Sequence, residues 1–303
     1  MHQLFAQISD PHLSTLEEVN ARELFNKRAL GYLSWRRRRR FEHRREVLDA
    51  LVNDLQQYTL DQLLVTGDLT HIGLPLEFQQ SRQWLDLLGT PDQVALIPGN
   101  HDACVAADWQ QTFALWQPYM DSDQPRSPAA TFPSLRVRGD IAFIGLSTAC
   151  PKPPLMATGT VGAEQLAKLP ALLDDAAAAG LFRVVFLHHS PLPGKEKWRK
   201  RLTDAEAVHS VLSGHGVELV LHGHGHRVHY DELATRDGMA PVIAVPSASA
   251  MGLHGGTPAQ YNCYRVSRND GGWELEIRSR AYRGGSGEFT ECGQQVVQLP
   301  RQG

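Results

Sequence analysis

The chain has 303 residues, of which 42% are hydrophobic and 21% charged, and its formal net charge at pH 7 is −3. These values are ordinary for a globular protein, and the weak net charge gives no general reason to expect a specific nucleic-acid partner. The four cysteines are widely spaced and form no C-x-x-C pair, which argues against a thiolate zinc site and against a disulfide framework.

The start of the chain has neither the charged beginning nor the long apolar stretch of a signal peptide. No run of residues approaches the roughly 18 apolar residues that cross a bilayer. We therefore expect a cytoplasmic protein, with peripheral attachment to the inner face of a membrane as the open alternative.

Short apolar runs alternate with helical segments along the chain, which is the pattern of an α/β fold. The predicted strands are Leu4–Ile8, Gln62–Thr66, Val94–Ile97, Ile141–Leu146, Val184–Leu187, Val217–Leu221 and Val242–Val245. Towards the C-terminus, apolar and polar residues alternate on both sides of the turn Asn269-Asp270-Gly271-Gly272, which predicts an antiparallel hairpin of Tyr261–Val266 and Trp273–Arg280.

The helices are predicted from apolar residues at helical spacing. Phe41 to Leu55 forms a crossover helix between the first two strands, and Pro75 is well placed to open the next helix. Two further helices are predicted over Ala163–Asp175 and Thr203–Leu212. An insertion at 14–40 and a proline-rich loop or lid at 117–134 belong to one domain over 1–283, and 284–303 is expected to be an irregular or edge tail.

Five short polar segments directly follow predicted strands: Asp10-Pro11-His12, Gly67-Asp68, Gly99-Asn100-His101-Asp102, His188-His189 and Gly223-His224-Gly225-His226. Loops beyond the carboxyl ends of strands in an open α/β sheet converge on one crevice, so these segments can build one site. Their carboxylate, amide and imidazole groups suit Mn, Fe or Zn.

Such a ligand set suits hydrolysis of a phosphate ester. Two metal ions roughly 3.5–4 Å apart neutralise phosphoryl oxygens and lower the pKa of a bound water toward about 7. Asp-x-His and His-x-His would place two ligands on one side of an extended segment. His101 could face the phosphate, with Asp102 orienting its ring and keeping it cationic, so both are candidate catalytic residues.

The five motifs in this order resemble those of the calcineurin-like metallophosphoesterases: D-x-H, G-D, G-N-H-D/E, H and G-H-x-H. They are most similar to the branch that contains the class III cyclic-nucleotide phosphodiesterases. The resemblance implies a four-layer α/β/β/α sandwich of two mixed sheets flanked by helices. It also implies two divalent or mixed-valence transition metals: Asp10, His12 and His226 on the first, Asn100, His188 and His224 on the second, and Asp68 bridging both.

Three positions need a choice or depart from the family pattern. His189 is the alternative to His188, but the family uses the first histidine of the pair as the ligand. His71 stands where the family often has Asn, and Ser190 replaces the first proline of the usual H-H-P-P.

The arginine run Arg36–Arg40 lies where the crossover helix is expected to begin, and cations at a helix N-terminus oppose the macrodipole. A sequence that accepts this cost often binds an anion there. Leu24, Phe25, Leu33 and Trp35 add apolar character, so residues 22–40 are a candidate contact for an anionic lipid or membrane surface. The alternative is a solvated helix face.

Three functions remain open from the sequence. The first is a phosphoesterase that cleaves a phosphodiester with metal-activated hydroxide, cyclic nucleotides being one candidate substrate. The second is a peripheral-membrane pyrophosphohydrolase of a nucleotide-linked lipid, similar to the UDP-2,3-diacylglucosamine hydrolases. The third is a non-catalytic binding scaffold of the same fold. The sequence leaves open the substrate, the identity of the metals and the oligomeric state.

Overall fold

Two six-stranded sheets form the centre of the molecule in the computed structural model, which describes residues 2–13, 15–124 and 131–300. The first sheet has the order β12-β11-β10-β1-β2-β3, from strands β1 (His2–Ile8), β2 (Gln62–Val65), β3 (Val94–Leu96), β10 (Gln260–Asn269), β11 (Gly272–Arg283) and β12 (Glu288–Pro300). The second has the order β4-β5-β6-β7-β9-β8, from β4 (Ser134–Arg138), β5 (Ile141–Leu146), β6 (Phe182–Leu187), β7 (Leu219–His222), β8 (His229–Thr235) and β9 (Gly238–Ala244).

Both sheets are mixed. In the first, β1 pairs parallel with β2 and antiparallel with β10, and in the second, β5, β6, β7 and β9 run parallel between the antiparallel edge strands β4 and β8. Each predicted strand and the C-terminal hairpin are present; β5 has the predicted bounds, and the other elements have shifted ends. The predicted fold class is confirmed.

Helices cover the sheets. They are α1 (Arg28–Ser34), α2 (Arg40–Glu42), α3 (Arg45–Leu55), α4 (Pro75–Leu88), α5 (Gln117–Met120), α6 (Ala163–Ala178) and α7 (Ala205–His215). A π-helical turn, Trp35–Arg39, joins α1 to α2, so residues 28–42 form one continuous helical segment, which we call the insertion helix.

Strand β1 is buried on both faces because it lies between the second sheet and the helices. Phe5 packs its ring edge on Phe143 of β5, with centroids 5.1 Å apart, and so joins the two sheets. Its neighbour Ala6 points the other way, into the core shared with Leu48 and Leu51 of α3. This alternation explains why Leu4, Phe5, Ala6 and Ile8 are all apolar, although the strand also buries the polar Gln7.

Some local predictions were wrong. Phe41 belongs to α2 rather than to the crossover helix, and 46% of its surface is exposed. The predicted loop 117–134 begins with helix α5, and Ser134 already lies in β4, while residues 125–130 lie outside the described residues. Strand β12 pairs along β11 at the edge of the first sheet. The domain boundary at 283 stays a prediction.

The arginine run does not begin the crossover helix. Arg36–Arg39 lie in the π-helical turn and Arg40 opens α2, near the C-terminal end of the insertion helix. The helix stops at His43, whose backbone is extended (φ −92°, ψ 111°), before α3 begins at Arg45. Cations at a helix C-terminus are favourable, so the argument from an opposed macrodipole was wrong.

The insertion helix is fixed to the domain at its start and at its middle. Arg28 donates hydrogen bonds to the backbone carbonyls of Ile72 and Gly73, at 3.1 and 2.5 Å. Trp35 is buried in a small core with Leu16, Ile72 and Leu74. These contacts hold the end of the helix close to the loop that follows Asp68.

Candidate metal centre

The seven predicted metal ligands lie beyond the carboxyl ends of β1, β2, β3, β6 and β7, where the two sheets meet. Donor atoms of Asp68, His188 and His224 lie within 4.8 Å of one another, and so do those of His12, Asp68 and His101. His188 Nε2 lies 3.2 Å from Asn100 Oδ1, and His226 Nε2 lies 3.1 Å from Asp10 Oδ1. The structure thus brings all seven side chains together.

The backbone at these positions is left-handed rather than extended. The φ angles are 50° at Asp10, 41° at His12, 57° at Asp68, 65° at His224 and 51° at His226. Non-glycine residues rarely adopt this region, and such strain concentrates at functional sites. The prediction that D-x-H and H-x-H are extended segments was wrong: positive φ, not strand alternation, sets the direction of these side chains.

Glycine is required where two of these loops touch. A Cβ at Gly99 would collide with the carboxylate and the backbone nitrogen of Asp68. At Gly223 it would collide with Ser9 Oγ and Asp10 Oδ2. The absence of a side chain therefore lets the Asn100 and His224 loops close on the two carboxylates.

Two of the histidines are oriented by backbone carbonyls. His12 Nδ1 lies 2.9 Å from the carbonyl of Thr70, and His188 Nδ1 lies 2.7 Å from that of Thr66. When Nδ1 donates, Nε2 carries the lone pair, as in most histidine metal ligands.

The ring nitrogens that remain fit a cation. Among the described residues, the buried Nε2 atoms of His12 and His224 have no hydrogen-bond partner. Buried polar atoms are rarely left unpaired, and carboxylates, an amide and imidazoles without thiolate suit Mn, Fe or Zn. The residues present therefore fit the predicted transition metals.

The charges around the site also favour a bound cation. Burial alone would raise the pKa of Asp68, but His188 and His101 hold it well below its usual range. Burial would lower the pKa of His188, yet Asp68 and Asp10 raise it to about 10. The two carboxylates thus favour a proton on His188. A metal ion bound at the site would replace that proton.

Asp102 does not have the role predicted for it. Its carboxylate accepts hydrogen bonds from the backbone N–H groups of Asp68, Gly99 and Thr70 at 2.8–2.9 Å, and from Thr70 Oγ1 at 3.0 Å. It therefore faces the loops that carry the ligands rather than the ring of His101. The predicted Asp102–His101 contact was wrong, and the hydrogen bonds of Asp102 instead tie together the loops of Asp68, Thr70 and Gly99.

His101 is held by other groups. Its backbone N–H donates to Asp68 Oδ1 at 2.7 Å, and its Nδ1 lies 2.6 Å from the carbonyl of His71 and 3.1 Å from Arg39 Nη1. Burial and the charge of Arg39 lower the pKa of His101 to about 4. At this pKa the His101 ring is neutral near pH 7, whereas a cationic ring had been expected. Arg39 is the cation beside it.

His189 packs against the site without free ring nitrogens. Its Nδ1 lies 2.7 Å from Thr148 Oγ1 and its Nε2 lies 3.1 Å from the carbonyl of Ala157. Its ring centroid lies 4.3 Å from that of His224. Burial and His188 lower its pKa to about 3. His188 is accordingly the better ligand candidate of the pair.

Two further residues face the site: Arg39 near the end of the insertion helix and His43 directly after it. A donor atom of His43 lies within 4.8 Å of those of His12 and His226, and its Nδ1 lies 2.8 Å from Ser249 Oγ. Arg39 contacts His101. Neither belongs to a strand-end motif. Arg39 lies in the arginine run that the sequence had marked as a candidate anion contact, whereas nothing in the sequence marked His43.

The metal centre opens into a cleft of about 890 Å³. One wall is the end of the insertion helix, and the cleft is lined by five cations: Arg37, Arg38, Arg39, Lys200 and Arg227. No helix in the described part of the chain is both long and apolar enough to span a bilayer.

Comparison with known proteins identifies related sequences. The model of the calcineurin-like phosphoesterase family matches residues 4–228. A protein of Synechococcus sp. named "Probable cyclic nucleotide phosphodiesterase" is 28% identical over 232 residues, covering 75% of this chain and 80% of the relative. A glycerophosphodiester phosphodiesterase of Enterobacter lignolyticus is 34% identical over 135 residues, covering 44% and 43%.

One solved structure shows the same fold over almost the whole chain. A dimetal phosphatase from Danio rerio superposes with a TM-score of 0.60 at 14% identity, covering 95% of this chain and 98% of that one. At this identity the similarity extends to the arrangement of sheets and helices.

Proposed function

This chain belongs to the calcineurin-like phosphoesterase family, which makes it a hydrolase of phosphate esters, and we propose that it cleaves phosphodiesters with two metal ions. Both relatives described above are named as phosphodiesterases, which favours a diester over a monoester. Cyclic nucleotides and glycerol-linked diesters are the substrate classes that these names suggest.

The observation that carries the binuclear site is the position of Asp68. Its carboxylate belongs to two separate groups of donor atoms, one with His12 and His101 and one with His188 and His224. A carboxylate with two oxygens can serve both groups at once. We assign Asp10, His12 and His226 to one ion and Asn100, His188 and His224 to the other, with Asp68 shared.

When bound, two such ions neutralise the phosphoryl oxygens and lower the pKa of a bound water toward about 7. The protein's own side chains position the bridging carboxylate and supply the group that exchanges a proton. The backbone of Asp68 is fixed by Asp102, and the His101 ring is fixed by the carbonyl of His71. His101 Nε2 is then the nitrogen left to exchange a proton with the substrate or its leaving group.

The test combines metal analysis with turnover. The protein is loaded with Mn, Fe or Zn, and bis-p-nitrophenyl phosphate is compared with p-nitrophenyl phosphate, cyclic AMP and glycerophosphodiesters, with and without chelator. We expect two metals per chain and chelator-sensitive cleavage that favours diesters. Fewer than two metals with no turnover would instead support the non-catalytic scaffold.

A second candidate is a substrate presented at an anionic membrane surface, such as a nucleotide-linked lipid. It is favoured by the outer face of the insertion, where Phe25 is 85% exposed and Leu30 and Leu33 are 46% and 45% exposed. Arg36, Arg37, Arg38 and Arg40 are exposed on the same segment. Apolar groups beside cations are what an anionic lipid surface binds.

Liposome sedimentation tests this candidate. Replacing Arg36, Arg37, Arg38 and Arg40 by Gln, with Arg39 kept, should abolish binding to anionic liposomes and raise KM for UDP-diacylglucosamine. The matched control removes equal charge elsewhere on the surface: Arg45, Arg82, Arg236 and Arg278 to Gln. If the unmodified protein does not sediment with anionic liposomes, the insertion is a solvated face.

A further inference from the structure

We propose that Arg39 is a catalytic residue that binds the phosphoryl oxygens of the substrate, contributed by the insertion helix and not by any strand-end motif. The reaction in which it acts is the proposed diester hydrolysis. Its phosphate-binding role can be measured without turnover, which keeps the two proposals separable.

The insertion helix aims Arg39 at the cleft. Arg39 is half-buried, whereas the other four arginines of the run are exposed to solvent. It is the last residue of the π-helical turn, and such turns often occur at functional sites. Arg28 and Trp35 fix the helix against the loop of Ile72 and Gly73. The position of Arg39 is therefore set by the fold and not only by a flexible side chain.

The contact between Arg39 and His101 does not satisfy the guanidinium. His101 Nδ1 lies 2.6 Å from the carbonyl of His71, a distance that requires the nitrogen to carry a proton and donate it. Arg39 Nη1, 3.1 Å from that same nitrogen, then meets an N–H and not a lone pair. Because guanidinium only donates hydrogen bonds, this neighbour provides no acceptor for it.

No carboxylate of the described residues forms a direct ion pair with Arg39, although Asp68, Asp10 and Glu77 favour its charge from a greater distance. Within residues 2–13, 15–124 and 131–300, the ion pairs at the site join His188 to Asp68 and His226 to Asp10, and none includes Arg39. A half-buried cation without an acceptor is costly unless a ligand supplies one. The atoms of Arg39 thus point to an anion in the cleft.

The residues that line the cleft indicate that this anion is a phosphoryl group. Arg39 lines it together with Asp68, Asn100, His101 and His224 of the metal centre. A phosphoryl group held there presents several oxygens to a planar fork of N–H donors, which guanidinium can bind in bidentate fashion. A single donor aimed at developing charge commonly contributes about 10²–10³-fold to a rate.

The experiment compares metal-loaded wild-type protein with Arg39→Gln and Arg39→Lys. Arg36→Gln is the matched control, because Arg36 is exposed on the same π-helical turn and does not line the cleft. Inorganic phosphate is titrated into each protein by calorimetry, metal content is measured, and kcat and KM are determined on bis-p-nitrophenyl phosphate.

We expect Arg39→Gln to weaken phosphate binding by about 10–100-fold, as for loss of hydrogen bonds to a charged group, with two metals retained. Arg39→Lys should fall between wild type and Arg39→Gln, because it keeps the charge but loses the fork. Arg36→Gln should match wild type. In Arg39→Gln, kcat/KM should fall by about 10²–10³-fold.

Unchanged phosphate affinity in Arg39→Gln would overturn the proposal. It would also be overturned if both Arg39 variants lost metal together with phosphate, since Arg39 would then support the ligands and not the substrate. A wild-type protein that binds phosphate through Arg39 but cleaves no diester would refute the proposed function and leave only the phosphate-binding role of Arg39 standing.

Discussion

The carboxylate of Asp102 accepts a hydrogen bond from the backbone N–H of Asp68 at 2.9 Å, so one acidic side chain holds the peptide that presents another. Asp102 also accepts the N–H groups of Gly99 and Thr70, which lie on the loops after β3 and β2. Burial and Asp68 raise the pKa of Asp102 to about 7 in the metal-free protein. The metal centre thus depends on a buried carboxylate that is not itself a predicted ligand.

Replacing Asp102 by Asn should destabilise the protein and weaken metal binding together. Asparagine keeps one acceptor oxygen but turns an NH₂ group toward N–H donors, which leaves a buried donor unpaired at a cost of about 1–3 kcal/mol. Chemical unfolding and metal titration measure both effects. Asp108→Asn is the control: Asp108 caps a surface turn at Gln110, and Asn caps equally well. Normal metal affinity in Asp102→Asn would contradict the positioning role.

Asp68→Asn should be the most damaging single ligand change. Its carboxylate belongs to two donor groups, so its neutralisation should lower the occupancy of both metal positions. His226→Asn, at a half-exposed position beside Asp10, should reduce occupancy at one position only. Metal analysis after equal loading distinguishes the two. Equal metal loss in the two variants would refute the shared role of Asp68.

His101→Ala should lower kcat with both metals retained. The ring of His101 lines the cleft and is fixed by the carbonyl of His71, so its removal should take away proton transfer without disturbing a ligand. A positioned acid or base contributes about 10²–10⁴-fold. Steady-state kinetics and metal analysis on the same preparation measure this. Loss of metal with unchanged kcat per bound metal would make His101 a ligand.

The metal-free protein should lose stability as the pH falls below about 6.5, the usual pKa of histidine. Burial lowers the pKa of His189 to about 3 and that of His222 to about 4. Below pH 6.5 the unfolded chain therefore binds protons that the folded chain does not, and each group lowers the free energy of unfolding by about 1.4 kcal/mol per pH unit until its folded pKa is reached.

Urea unfolding between pH 7 and pH 4, with chelator present, measures this slope. His222→Asn should make the slope of unfolding free energy against pH shallower by up to about 1.4 kcal/mol per pH unit, the value for one bound proton. The control His2→Asn, at an exposed position at the start of β1, should leave the slope as it is. His188 acts in the opposite sense, because its raised pKa of about 10 stabilises the fold below pH 6.5 and that contribution is lost as the pH rises toward 10. A flat profile between pH 6.5 and pH 4 would contradict the prediction.

Much of the site could be predicted because its residues are local motifs at strand ends. Each ligand segment follows an apolar run, and runs that fill both faces of a sheet are readable without knowing their neighbours. Strands β4 and β8 were missed, and the segment of β12 was expected only as an irregular or edge tail. All three lie at sheet edges and are partly exposed, whereas β3, which is also an edge strand, is fully buried and was predicted.

The sequence by itself predicted an α/β pattern and the five polar segments, because hydrophobic periodicity and the order of the motifs are properties of the chain alone. The resemblance of those motifs to the family implied the two-sheet sandwich and the seven candidate ligands. Only the tertiary structure decided the positions of Asp102, Arg39 and His43 around the site. Asp102 faces three backbone N–H groups because the loops after two strands meet there. The end of the insertion helix reaches the cleft because Arg28 at its start and Trp35 at its middle are bound to the rest of the domain. Such contacts join residues far apart in sequence, and no local spacing encodes them.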